Sequence, residues 1–295
     1  MMSTGTWQVV LDQQSILGEC PVWDFRHKRI FWIDILSGMI HYFYSDSNEH
    51  KTFNLGQVPG SIALKKNGGL VAAIKTGFAT IDIQKGTTWT ITQVESRFTE
   101  NRFNDGKCDP AGRFWAGTMS GSNVSGSGSL YVLEKNYSVK KKITGITCSN
   151  GMAWSPDFTT FYYIDTPTRH VVAYRYDMMT GKISEKRIVI NIPEEEGYPD
   201  GMTIDTEGML WIAMWDGWKV IRYNPDSGEK LHEIKLPVSR VTSCVFGGDT
   251  MEDLYITSAK TGLTESELKA QPLAGSLFVV KNSGYKGMEA FEFGG

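Results

Sequence analysis

Six times along the chain an apolar pentad closes on a turn-like residue, and an aromatic-rich apolar run follows a few residues later. The closing residues are Asp24, Lys65, Asp109, Ser155, Asp205 and Gly247, in the segments GECPVWD, GSIALK, NDGKCD, NGMAWS, DGMTID and TSCVFG. Their separations are 41, 44, 46, 50 and 42 residues. A turn rich in Gly, Pro, Asp or basic residues leads to a second run: RIFWID, LVAAI, RFWAGTM, FYYID, LWIAMW and LYITSA. A third run then follows in every repeat, from MIHYFY to GSLFVVK. β-Branched and aromatic runs bounded by Gly, Asp and Pro read as short strands. Repeats of about 40–50 residues with several strands each mark a β-propeller. The pattern therefore predicts an all-β chain, with residues 1–295 forming one six-bladed β-propeller domain; a β-sandwich or two small β domains is the alternative. Trp7–Asp12 (WQVVLD) is expected to add to the last blade and close the ring, which removes an exposed edge. Thr264–Ala270 (TESELKA) is expected to form one or two helical turns.

The same register points to a site. Five residues before each closing residue stand Glu19, Gly60, Asn104, Asn150, Asp200 and Thr242. The innermost strand of each blade lines the central channel, so all six are expected at one channel mouth. Asn-Gly and Asp-Gly are good turn residues in their own right, but Glu19 is not, and the shared position joins them into one cluster. Two carboxylates and two carboxamides aimed at a common axis suit a hard divalent cation such as Ca²⁺, Mg²⁺ or Mn²⁺. Loops after the second strands return to the same face: Met119–Gly128, Trp215–Trp218 and Ala259–Pro272. The first is a Gly/Ser stretch suited to a lid or loose wall. Trp215 and Trp218 offer either an apolar wall or packing between blades.

Composition narrows the function. Hydrophobic residues make up 41% and charged residues 21%, as in ordinary globular chains. A net charge of −3 with no basic run gives no reason to expect nucleic acid. No apolar segment approaches the roughly 20 residues that span a bilayer, and the N-terminus lacks the pattern of a secretory signal. The expectation is a cytoplasmic protein, in which the glycosylation patterns at Asn123 and Asn136 are chance matches. Cys20, Cys108, Cys148 and Cys244 form no C-x-x-C pair and read as free, buried thiols. None of the five histidines falls in the mouth segments, and G-x-S-x-G, H-E-x-x-H, Walker and G-x-G-x-x-G motifs are absent. Metal-assisted chemistry with carboxylate acid–base help remains.

At these residues the chain resembles the SMP-30/gluconolactonase/regucalcin-like family, which includes luciferin-regenerating members. LGECPVWD (17–24), NRFNDGKCDPAGRFWAGTM (101–119), SNGMAWSPD (149–157) and YPDGMTIDTEGMLWIA (198–213) carry the likeness, supported by VTSCVFGG (241–248) and GSLFVV (275–280). The resemblance implies a six-bladed propeller with one divalent cation at the channel mouth. Ca²⁺ is the first expectation, and Zn²⁺, Mg²⁺ or Mn²⁺ would also serve. It implies Glu19, Asn150 and Asp200 as metal ligands, and Arg102 and Asn104 as substrate-binding residues. The expected activity is hydrolysis of a small-molecule lactone, with the cation polarising the carbonyl and Asp200 as general base. The alternative is a calcium-binding regulatory or scaffold protein without turnover. One departure stands out: animal sugar-lactonase members carry acidic residues after AGTM, where this chain reads Ser120-Gly121-Ser122-Asn123. It bears on which lactone is taken more than on lactone chemistry.

Overall fold

The computed structural model describes residues 6–122 and 124–295. Met1–Gly5 and Asn123, with the Asn123 glycosylation pattern, lie outside the described residues. Six four-stranded antiparallel sheets form the blades of a propeller. Their inner strands are Gly18–Asp24, Pro59–Leu64, Asn101–Cys108, Ser149–Trp154, Tyr198–Ile204 and Val241–Gly247. The three runs legible in each repeat are the first three strands of its blade. The fourth strands, such as His50–Asn54 and Lys230–Lys235, are mostly exposed and polar. In the sixth blade the fourth strand is Trp7–Leu11, which pairs with Leu277–Val280 in the register Trp7↔Val280 and Val9↔Phe278. The ring thus closes as the sequence predicts. Glu265–Ala270 is a short α-helix whose N-cap Thr264 exchanges hydrogen bonds with Glu267.

Two of the closing residues, Asp109 and Asp205, share a structural task. Asp109 accepts from the backbone N–H groups of Ala111 and Arg113, which fixes the turn, and from the indole of Trp115 at 2.9 Å. Asp205 does the same with Glu207, Met209 and, at 2.9 Å, the indole of Trp211. A carboxylate at the end of an inner strand thereby sets the angle of the next strand and satisfies a buried indole. Between blades the core is apolar, with Trp32, Trp115, Trp154 and Trp211 almost wholly buried. Packing is tight enough to demand glycine: a Cβ on Gly60 would lie 2.3 Å from the Phe103 carbonyl carbon of the neighbouring inner strand.

The C-terminal segment turns back across the face opposite the mouth. Gly287 and Phe293 bridge to Asp205 and Lys65, and Met288–Phe291 cover that end of the channel. Inside, Asp105 is buried and Lys107 half-buried, with Lys107 Nζ donating to the Met202 carbonyl at 2.6 Å. No helix among the described residues is long and apolar enough to cross a membrane.

Candidate active site

Every inner strand breaks register with its neighbour at the position singled out by the repeat. The slips fall between Glu19 and Val22, Pro59 and Ser61, Phe103 and Asp105, Asn150 and Met152, Pro199 and Met202, and Val241 and Ser243. Such bulges bend a strand and re-aim a side chain. After Glu19 the turn is sharp, since Cys20 adopts φ +49°, a region β-carbon residues rarely visit.

Glu19, Arg102, Asn104, Asn150 and Asp200 line one open cavity of about 450 Å³. Gly60 and Thr242 do not. They share the register but join blades instead. Gly60 admits the neighbouring strand at Phe103, and Thr242 donates to the Gly18 carbonyl, tying the sixth blade to the first next to Glu19.

Hydrogen bonds fix the direction of each polar group. Thr166 Oγ1 donates to the Pro199 carbonyl at 2.8 Å, so it accepts from Asn150 Nδ2 at 3.0 Å. That turns Asn150 Oδ1 away from Thr166, and this oxygen has no partner, nor does Asp200 Oδ1. Glu19 Oε2 accepts from the Cys20 N–H at 3.1 Å. Burial, with the charges of Asp200 and Asp105, holds the Glu19 carboxyl well above the usual carboxylate range. Burial and Asp105 do the same to Asp200. Two buried carboxyl groups and an orphaned amide oxygen form a donor set that a cation would satisfy. The third donor is an amide, and among the described residues no three His, Cys, Asp or Glu side chains gather around one point.

Arg102 is half-buried and forms no ion pair among the described residues. Its Nη1 donates to Asn104 Oδ1 at 2.7 Å and to the Phe103 carbonyl at 3.0 Å. Both bonds leave from one nitrogen, which keeps the Nε and Nη2 donors for a bound molecule. Asn104 lines the cavity, but its amide is committed: Oδ1 to Arg102, and Nδ2 to the Ser149 carbonyl at 2.8 Å.

Sequence reasoning passed over Leu17, Thr147, Cys148, Thr166, Pro167 and Tyr198, which also line the cavity with Met119 and Trp215. A signal for three of them was present. Strand side chains repeat every second residue, so positions two before the ring residues face the same way, one step further out. These are Leu17, Val58, Arg102, Cys148, Tyr198 and Arg240, and Leu17, Arg102, Cys148 and Tyr198 reach the cavity. Cys148 is therefore not a plain buried thiol like the other three; burial and Asp200 push it up to about 12. Of the two tryptophans, Trp215 lines the cavity, while Trp218 is 44% exposed and does not. The Gly/Ser loop meets the wall at Thr147, whose hydroxyl engages Ser125 Oγ at 3.2 Å and the Gly126 N–H at 3.1 Å.

The architecture defines a class: six-bladed propellers with an oxygen-lined cavity at one mouth of the channel. Within it, a family model described as SMP-30/Gluconolactonase/LRE-like region matches residues 17–260. The chain belongs to this family. Regucalcin of Gallus gallus is 40% identical over 284 residues, covering 95% of each chain. Among solved structures, a luciferin-regenerating enzyme superposes with a TM-score of 0.92 at 30% identity, over 98% of this chain and 99% of that one. A calcium-binding regucalcin from Agrobacterium tumefaciens gives 0.94 at 27% identity, over 98% and 97%.

Proposed function

We propose that this chain is a divalent-cation-dependent hydrolase of small lactones. The observation that carries the reading is the pair of orphaned oxygens, Asn150 Oδ1 and Asp200 Oδ1, buried at the floor of an open cavity beside Glu19 and Arg102. Buried polar atoms normally find partners; one amide and one carboxylate oxygen left unpartnered beside the Glu19 carboxyl group fit a hard cation. Glu19, Asn150 and Asp200 would hold it, and when bound it would polarise the lactone carbonyl as a Lewis acid. Ca²⁺, Mg²⁺, Mn²⁺ and Zn²⁺ all accept such oxygen donors.

The chain's own groups supply the rest. Asp200 takes a proton from the attacking water as general base. The water oxygen bonds to the carbonyl carbon, the ring C–O bond breaks, and the proton held by Asp200 passes to the leaving oxygen, giving a hydroxy acid. Arg102 orients substrate oxygens through its uncommitted N–H groups. Asn104 holds the guanidinium in place and contacts substrate only secondarily.

A second reading is a calcium-binding regulatory or scaffold protein without turnover. It is favoured by the description of the Agrobacterium relative as a calcium-binding protein. A pH-indicator assay over a lactone panel, with and without EDTA, separates the two. Acid release that needs the cation and is lost in Asp200→Asn supports the hydrolase. Tight cation binding with no release over the panel supports the scaffold, and full activity of Asp200→Asn removes Asp200 as base.

A further inference from the structure

The cavity has two tiers of opposite character. Its floor is the polar ring of Glu19, Asn104, Asn150 and Asp200 with Arg102 above it. Its wall is mostly apolar, made of Leu17, Met119, Pro167 and the rings of Tyr198 and Trp215, with the Tyr198 hydroxyl and the Trp215 indole N–H as its polar points. The two threonines on the wall are already engaged, Thr166 with Pro199 and Asn150, and Thr147 with Ser125 and Gly126. The Cys148 thiol lies 3.7 Å from Met119 Sδ. The aromatic rings are held from outside the cavity. Arg169 stacks on Tyr198 at 3.9 Å while donating to the Gly197 carbonyl, and Arg240 stacks on Trp215 at 4.8 Å while donating to the Gly262 carbonyl. Tyr198 and Trp215 are also paired across adjacent strands, so they form one continuous surface.

A polyhydroxylated ring brings several hydroxyl groups that need partners. Buried without them, each costs free energy, and a wall that offers fewer polar groups than the ring has hydroxyls discriminates against such a ligand. An alkyl or aryl substituent gains from the same wall. The volume lies within the range of small-molecule sites, about 300–1,000 Å³, and leaves space beyond the ring that the floor would hold.

We infer that the preferred substrate is a lactone bearing an apolar substituent, and that Tyr198 and Trp215 are the residues that select it over an aldonolactone. The inference rests on the lactonase reading. The polar floor takes the ester group, and the wall takes the side chain.

The test is kcat/KM for γ-butyrolactone and its alkyl homologues up to γ-nonalactone, against D-glucono-1,5-lactone, in the presence of cation. Expected is a rise of up to about fourfold per methylene over the first carbons, levelling as the cavity fills, with gluconolactone below the longer homologues. Trp215→Ala and Tyr198→Ala should flatten the slope, and Trp215→Phe should restore it. A flat series in the parent, or gluconolactone as the better substrate, overturns the inference while leaving lactone hydrolysis standing. If no lactone is turned over, the activity reading fails, and calorimetric binding of γ-nonalactone and gluconolactone to the parent protein decides the wall. Tighter binding of the alkyl lactone, weakened by Trp215→Ala, upholds the selection; equal or reversed binding ends it.

Discussion

Replacing Asp200 by Asn should do something unusual for a buried position: leave the cation-free protein as stable as the parent, or more so. Most substitutions of buried residues destabilise, by about 1 kcal/mol on average. Here the Asp200 carboxyl is raised well above its ordinary value by burial and by Asp105. Its folded form prefers the proton. Stability from this group is complete below the unfolded value of about 4 and is lost as pH rises through the folded one. Near neutral pH the buried carboxyl is therefore a cost without a cation, and Asn removes it. With cation the order reverses. A ligand at 100 times its Kd adds about 2.7 kcal/mol; at roughly 2–4 °C per kcal/mol for a domain of this size, the parent should gain about 5–10 °C in Tm. Asp200→Asn should gain only a small part of that. Paired thermal melts, in EDTA and in excess Ca²⁺ or Zn²⁺ at pH 7.5, read both effects. A variant that melts several degrees below the parent in EDTA, yet keeps the full cation-induced shift, would refute the assignment and make Asp200 a structural residue.

Three further outcomes follow from the geometry. Thr166→Val should lower cation affinity about 10- to 100-fold, because Asn150 loses the contact that directs its amide; Thr166→Ser should retain it, and calorimetric titration distinguishes them. Cation affinity of the parent should rise with pH, since protons compete for Glu19 and Asp200, whose carboxyl groups are both raised; affinity independent of pH between 5 and 8 would contradict this. Asp109→Ala should cost about 3–5 kcal/mol in urea unfolding, because it strands the buried donors of Arg113, Trp115 and Tyr176; a loss under about 1 kcal/mol would show that the repeat's closing carboxylate is dispensable.

The propeller was legible because its inner three strands are buried and their sequences have little freedom. Asp109 and Trp115, and again Asp205 and Trp211, recur at the same spacing because the carboxylate must meet both the turn and the indole. The fourth strands escaped because they lie on the outside. A stretch such as Lys230–Lys235 needs backbone pairing and solubility more than apolar faces. At the site, Glu19 could be found because a glutamate in that turn-like register has no ordinary reason to be there, and the shared register brought Asp200 in with it. Leu17 and Tyr198 are marked only by standing two residues before the ring positions, because an apolar residue at the start of a strand otherwise looks like any other. Gly60 and Thr242 share the register but serve the joints between blades, which periodicity alone cannot separate from ligand positions.

The strand that completes the sixth blade, Trp7–Leu11, is made first and used last. During synthesis it has no partner until Leu277–Val280 has emerged, nearly the whole length of the chain later. Contacts that distant in sequence are late to form and carry a large loop-closure cost. Glu19 stands a few residues beyond that strand, in the blade which the closure locks to the sixth through Thr242 and Gly18. Asn150 and Asp200, by contrast, come from adjacent blades in mid-chain. A nascent or partly opened chain would hold two of the three oxygen donors together and lack the third. Competence to hold the cation would then report that the circle is complete, so a truncated or unfinished copy should be inert before it is unfolded.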